Sequence, residues 1–418
     1  MRDEEWVADL LGDGEESAAD GCESWLDEEK LGLQPAPEVN VQITTPGGGV
    51  AAEIRLPLAA TVAALKDEVC GRLGVPVLEQ RLALGAQLLA DARTLADSLR
   101  GSEHSSSVGG SDALLITLVR APKPMAIGNT VQGPMHLWDL SRGEAVSDLR
   151  GGGRVLCVAV DWECQRVFSG SIDGALRVWD LQSCELQRQF TMGCGSVLCA
   201  AVDWSSELAI LGTNDWALHV IDIGSGQLLQ RLHGHSGPVL CVAADFAWPR
   251  ALTGSHDRSL GLWDLTQGQM VKSLRGHTDL VTCAAVDWAS ERAVSGSCDG
   301  TLRRWDLESG EVLLLLRGHC SAVMCLAVDW SSQRALSGGG DCSLWLWDLA
   351  KGERLRAFSG HRERVSCLSA DWGDRKALSG SYDGRLRLWD LETGQVLQEF
   401  GSSGWRIKCV TANWESDA

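Results

Sequence analysis

Four stretches of this sequence repeat one set of reactive side chains. His235, Thr253 and Asp257 recur as His277, Ser295 and Asp299, as His319, Ser337 and Asp341, and as His361, Ser379 and Asp383, each set 42 residues after the last. An imidazole, a hydroxyl and a carboxylate are the parts of a nucleophilic triad, in which the imidazole takes the hydroxyl proton and the carboxylate orients the imidazole. A second series is made of thiols. Cys157, Cys199, Cys241, Cys283, Cys325, Cys367 and Cys409 stand 42 apart among 15 cysteines in all, which invites a metal or redox reading. No CxxC pair is present, so metal-site spacing is lacking, and reduced thiols in a reducing compartment are expected.

What must position these residues is a repeat. A Trp-Asp pair recurs at Trp179, Trp263, Trp305, Trp347 and Trp389; Ile221-Asp222 replaces it once, and Trp138-Asp139 precedes Trp179 by 41 residues. Within each unit, short alternating apolar runs are separated by Asp-Trp, Ser-Gly-Ser-x-Asp-Gly, Asp-Leu-x-x-Gly and Gly-His. Such turn chemistry implies four antiparallel strands, a to d. One unit cannot bury both faces of its sheet, so units must stack, and closing the stack into a ring protects their edges. The period with its GH and WD signatures resembles the WD-repeat family over about residues 123–418, which implies an all-β seven-bladed propeller. Blade 1 is expected at residues 154–190, with blades 2 to 6 following to about residue 400. Blade 7 would take strands b to d from 124–150 and strand a from 405–414, a non-covalent clasp that leaves no open edge.

The resemblance also implies roles. Blades 3 to 6 would each hold a buried hydrogen-bonded tetrad: His235, Thr253, Asp257 and Trp263; His277, Ser295, Asp299 and Trp305; His319, Ser337, Asp341 and Trp347; His361, Ser379, Asp383 and Trp389. Turned inward to hold a turn, the histidines and hydroxyls satisfy one another without exposing a nucleophile. No catalytic residue, metal site or cofactor is therefore expected. Blade 1 keeps Ser169, Asp173 and Trp179 without a histidine, and Leu211 and Ile127 stand at the hydroxyl position of blades 2 and 7, so these three blades are expected to be softer. The periodic cysteine reads as a small polarizable side chain for a tight inner slot. Trp162, Trp204, Trp288, Trp330, Trp372 and Trp414, with Phe246 in the third unit, follow strand a. Four residues beyond five of these aromatics stand Arg166, Arg250, Arg292, Arg334 and Lys376, a pairing expected to stack across one a–b turn.

Residues 39–122 have a different pattern. VNVQITT and VAAEIRLPL read as strands, TVAALKDEVCGRLG as a helix capped by Thr61, and QRLALGAQLL and ALLITLVR as later strands. This order resembles ubiquitin-like domains and implies a small α+β β-grasp fold. The chain continues as Arg120-Ala121-Pro122 without Gly-Gly, so conjugation through it is not expected, and Ala83 and Thr117 stand where ubiquitin carries its apolar recognition patch. The polar insert at 101–111 is expected to be a mobile loop. Residues 1–38 carry 13 acids and 2 bases, −11 of the net −19, and read as a disordered acidic tail. Trp6, Val7, Leu10 and Leu11 leave open a short helix that folds on a partner. No run approaches 18 apolar residues and the first 30 are acidic, so neither a membrane span nor a secretory signal is visible. A cytoplasmic location is expected, with the nucleus compatible. The charge disfavours nucleic acid and anionic membranes.

These features point to a non-enzymatic scaffold that binds protein or peptide partners on the propeller face, with a ubiquitin-like second docking module. The alternative is a substrate receptor or adaptor in the ubiquitin–proteasome pathway. Receptors of cullin ligases often carry Arg two residues after the WD Asp; here those positions are Ser141, Gln182, Gly224, Thr266, Glu308, Ala350 and Glu392. One column suggests the binding surface. Three residues before each periodic Cys stand Arg154, Ser196, Pro238, Leu280, Ala322, Arg364 and Arg406, and ring closure would make the three arginines neighbours. Arg362, Tyr382 and Trp405 are expected to border this arc. Arginines beside aromatics in an acidic protein suit an acidic or phosphorylated peptide. The bland alternative is pairing with a loop carboxylate such as Glu363.

Overall fold

The computed structural model describes residues 38–44, 50–57, 59–73, 75, 80–84, 87–89, 94–95, 114–120, 125–130, 135–151, 153–193, 195–401 and 406–414. The tail over 1–37, the insert at 101–111 and Trp405 lie outside the described residues.

The N-terminal elements are β1 (Glu38–Thr44), β2 (Val50–Pro57), α1 (Val62–Leu73), β3 (Gln80–Leu84), β4 (Gln87–Leu88) and β5 (Leu114–Arg120). They form a five-stranded sheet in the order β2-β1-β5-β3-β4, with β1 parallel to β5 and the other described pairs antiparallel. Helix α1 starts where the Thr61 hydroxyl accepts the Ala64 N–H at 3.2 Å, a side-chain cap for an orphan donor. Its apolar stripe, Val62, Leu65 and Val69, is buried with Val41, Ile43 and Ile54 of the sheet. Beyond the helix, buried Gln80 donates to the carbonyls of Lys66 and Val75 at 2.9 and 2.8 Å. The backbone register sets Ala83 opposite Thr117.

The repeat region forms seven four-stranded antiparallel sheets. Strands β6 (Met125–Thr130), β7 (Met135–Asp139) and β8 (Glu144–Leu149) precede six complete blades: β9–β12 within 155–191, β13–β16 within 197–233, β17–β20 within 239–275, β21–β24 within 281–317, β25–β28 within 323–359 and β29–β32 within 365–400. The last strand, β33 (Ile407–Ala412), pairs with β6 and completes the seventh sheet in the order β33-β6-β7-β8. Strand a of each blade touches strand a of the next, and β33 touches β9, so the inner strands close a ring.

The alternation along the strands explains why these sheets stack. Strand b is buried almost throughout, as in Arg250–Ser255, whereas strand d is mostly exposed. The core therefore lies between blades. Cys157, Phe168 and Leu176 of blade 1 pack on Val197, Ala209 and Ile221 of blade 2, and Leu386 and Phe400 of blade 6 pack on Ala126 and Ile407 of blade 7. Burying one such aliphatic or aromatic side chain contributes about 1.5–3 kcal/mol. In every blade the a–b pairing skips one residue of strand a: Leu156, Leu198, Leu240, Thr282, Met324, Ser366 and Lys408. A bulged residue stands outside the ladder, and its side chain is re-aimed.

Candidate functional site

In blades 3 to 6 the four recurring side chains meet. Histidine Nδ1 lies 2.9 Å from the aspartate, Nε2 lies 2.7–2.8 Å from the hydroxyl, and the tryptophan Nε1–H donates to the same hydroxyl at 2.7–2.8 Å. Each aspartate also accepts the N–H of the residue after the histidine, Ser236, Thr278, Cys320 or Arg362, at 2.9–3.0 Å. The connectivity is that of a triad; access is what differs. Thr253, Ser295, Ser337 and Ser379 have no exposed surface, and the indole N–H occupies an oxygen lone pair of each, so these hydroxyls cannot reach a substrate. Burial lowers the pKa of His277, His319 and His361, keeping the rings neutral. Burial alone would raise the Asp299 pKa. Hydrogen bonds from the Thr301 hydroxyl, the Thr278 N–H and His277 outweigh it and bring it down to about 2.

Blades 1 and 2 hold the same turn by another route. In blade 1, Trp179 donates to Ser169 at 3.1 Å, while Asp173 pairs with buried Arg177, which also donates to the Ser171 hydroxyl at 2.9 Å. In blade 2, buried His219 sits 3.2 Å from Asp215, which accepts from Arg231 at 2.6 Å and from the Thr213 hydroxyl. Arg177 and His219 both stand two residues before the WD tryptophan position. That column is the available sequence signal for a substitute partner of the aspartate. In blade 7 the hydroxyl position is Gly128 and not Ile127, because Ala126 is the residue opposite Trp138. The 41-residue step from Trp138 to Trp179 shifts this blade's register by one.

On the face of the b–c turns, the residue three before the cysteine in blades 1 to 6 sits beside its own blade's turn: its carbonyl accepts from Ile172, Asn214, His256, Cys298, Gly340 or Tyr382 at 2.7–3.1 Å. Arg364 and Arg406, from adjacent blades, both stack on Tyr382, their guanidinium carbons 5.2 and 5.5 Å from the ring centroid. Tyr382 is 5% exposed, and its hydroxyl has no hydrogen-bond partner among the described residues. Arg154 occupies the equivalent place in blade 1, half-buried and with its Nε unpartnered. Blade 7 reaches that strand through Asn129, whose side chain donates to the Val155 carbonyl at 2.5 Å. Arg362 is exposed on the connection before Arg364. The structure thus brings together Arg364, Arg406 and Tyr382 and sets Arg154 on the next blade.

The opposite rim corrects the expected stacking. Arg166 lies 4.8 Å from the ring of Trp204 and Arg250 4.8 Å from that of Trp288, so each cation stacks on the next blade's tryptophan and not across its own turn. The residue before Arg166, Gln165, takes a left-handed conformation, whereas Pro249 precedes Arg250, so the stacking on the neighbour does not depend on that conformation. Arg166 also pairs with Glu207 of blade 2 at 3.4 Å and Asp161 of its own blade at 3.3 Å.

The cysteines pack between blades as well. A Cβ on Gly170 would stand 2.7 Å from both the Cys157 sulfur and Val197 of the next blade, and five further blades repeat this fit. Burial raises the thiols of Cys157, Cys283 and Cys367 to about 12. In blade 7, Asn129 takes the glycine's place, and its carbonyl accepts the Cys409 N–H at 2.9 Å and lies 2.7 Å from the sulfur. That polar clip was not anticipated from the sequence.

Comparison with known proteins adds two findings. Five repeats, at residues 143–180, 226–264, 268–306, 310–348 and 352–390, match the family model described as WD domain, G-beta repeat. A 59-residue stretch is 39% identical to eukaryotic translation initiation factor 3 subunit I of Xenopus laevis, covering 14% of this chain and 17% of that protein.

Proposed function

Because the repeat region is a seven-bladed WD-repeat propeller, we propose that the protein is a non-enzymatic interaction scaffold in the cytoplasm. Its partner surface is the arc of Arg154, Arg362, Arg364, Tyr382 and Arg406, and the partner is an acidic or phosphorylated peptide. The observation that carries this reading is the pair of guanidinium groups from two blades held against one tyrosine. Stacking fixes the planes of the groups, and a guanidinium is suited to a carboxylate or phosphate. The likeness to a protein named as a subunit accords with a role in an assembly. The test is peptide binding by Arg154→Glu with Arg406→Glu. We expect affinity for an acidic peptide to fall by about a hundredfold or more at low salt, and unchanged affinity would refute the site. Deleting residues 1–37, which compete for the arc with their own negative charge, should strengthen binding.

A second reading draws on the N-terminal sheet. Its order, with β1 parallel to β5 and helix α1 after β2, supports a ubiquitin-like module. On that reading the protein is an adaptor in the ubiquitin–proteasome pathway, and ligase or proteasome subunits should co-purify with the full chain.

A further inference from the structure

The seven bulged residues share one position on the innermost strands, so they line the axial channel. Their chemistry is uneven. Leu156, Leu198 and Leu240 make blades 1 to 3 apolar, and Met324 adds a fourth apolar side chain. Thr282 and Ser366 turn their hydroxyls onto the backbone, donating to the next blade's carbonyls at Val323 (2.5 Å) and Ile407 (2.6 Å). Lys408 has no such outlet. It is half-buried, yet among the described residues it makes no hydrogen bond and no ion pair.

The mouth above this lysine is the basic arc. Arg406 precedes Lys408 by two residues on the same strand, about 7 Å along it, and Arg364 holds the same height on blade 6 beside Ser366. Both lean on Tyr382, whose buried hydroxyl has no partner among the described residues. Nearby carboxylates do not neutralise the lysine: Asp383 is already held by His361, Arg387 and the Arg362 N–H, and Glu363 is exposed on the outer connection. An ammonium that has lost part of its hydration without gaining a partner favours an anion beside it. A phosphate supplies more than one negative charge and several acceptor oxygens in a compact volume.

We propose that the axial channel seats a phosphate group on Lys408, admitted past Arg364, Arg406 and Tyr382. The proposal rests on the reading of this face as an anionic partner's surface and adds a seat below it. Free phosphate and a phosphorylated side chain offer the same chemistry.

The test is calorimetric titration of the full chain with inorganic phosphate and with an otherwise neutral peptide carrying one phosphoserine. Lys408→Met should weaken binding by roughly tenfold to a hundredfold, the loss of one charged hydrogen bond, and Lys408→Arg should retain it. Both variants should melt at the parent's temperature, which separates lost binding from lost folding. Binding of inorganic phosphate supports a free anion as ligand; binding of the phosphopeptide alone supports a phosphorylated side chain. Failure of both probes to bind, or equal affinity in Lys408→Met, overturns the seat. If an unphosphorylated acidic peptide still binds in an Arg406-dependent way, the seat falls and the partner surface stands. If phosphate binding depends on Lys408 while Arg154→Glu with Arg406→Glu leaves acidic-peptide binding intact, the surface falls and the seat stands.

Discussion

In blades 3 to 6 the aspartate of the b–c turn is held by the histidine that precedes strand a; in blades 1 and 2 it is held by a side chain from strand c, Arg177 or His219. The two solutions keep the carboxylate compensated and exchange the group that compensates it. What the fold requires is a satisfied charge beneath the turn, because an unpaired buried carboxylate costs several kcal/mol. The second solution also frees the connection before strand a from its Gly-His pair. Blades 1 and 7, both without that pair, contribute two of the three arginines of the candidate surface.

The comparison can be broken most severely at blade 7. Ending the chain at residue 403 removes β33, exposes the inner edge of β6 and uncovers the residues packed between blades 6 and 7, so the melting temperature should fall by roughly 10 °C or more. Calorimetry of the truncated and full chains measures this, and equal melting would mean that the clasp does not hold the ring. Next in size is the loss of one indole. Trp305→Ala should cost about 3–5 kcal/mol in chemical denaturation, and Trp138→Ala less, because Trp138 is half-buried beside Gly128 and has no tetrad hydroxyl to bond. Equal losses would erase the distinction between complete and substituted blades.

Acid provides the gentlest contrast. A histidine whose folded pKa is depressed keeps its contribution to stability above the unfolded value of about 6.5 and loses it as pH falls below that value. His277, His319 and His361 behave so, and together they should remove up to about 4 kcal/mol per pH unit once the unfolded chain binds three extra protons. The aspartates act later and in the same direction. Asp299, lowered to about 2, contributes stability above its unfolded value that is lost as pH falls toward 2. Urea denaturation between pH 7 and 5 should show the decline, and His319→Gln should flatten it by one proton's share. A profile without slope would mean that the native histidines are already charged.

Much of this architecture could be read from spacing alone. The 42-residue step and the WD pairs specified seven blades, and the Gly-His, Ser and Asp positions specified four tetrads whose members are found in contact. Features that depend on the neighbour across a blade boundary were hidden. Trp162 and Arg166 are four residues apart, yet the cation goes to Trp204 of the next blade. The blade 7 register was misread at Ile127 because a 41-residue interval was taken as a full step. Asn129 looked like an ordinary polar residue until its amide was seen bonded to both Cys409 and Val155. The lysine at 408 differs from its repeat equivalents by one substitution, and its isolation is visible only once the bulges line a common channel.

Asn129 and Cys409 are partners separated by 280 residues. On the ribosome this separation is a delay. At about 5–20 residues per second, β6 to β8 would wait roughly 14–56 s for β33. During that interval the inner edge of β6 offers unpaired N–H and C=O groups, and the free flank of blade 6 exposes apolar surface to any strand nearby. A nascent chain shielded until its final segment emerges would close on itself. One released slightly short would present a sticky edge to another copy, so late truncations should aggregate more readily than the full chain during synthesis.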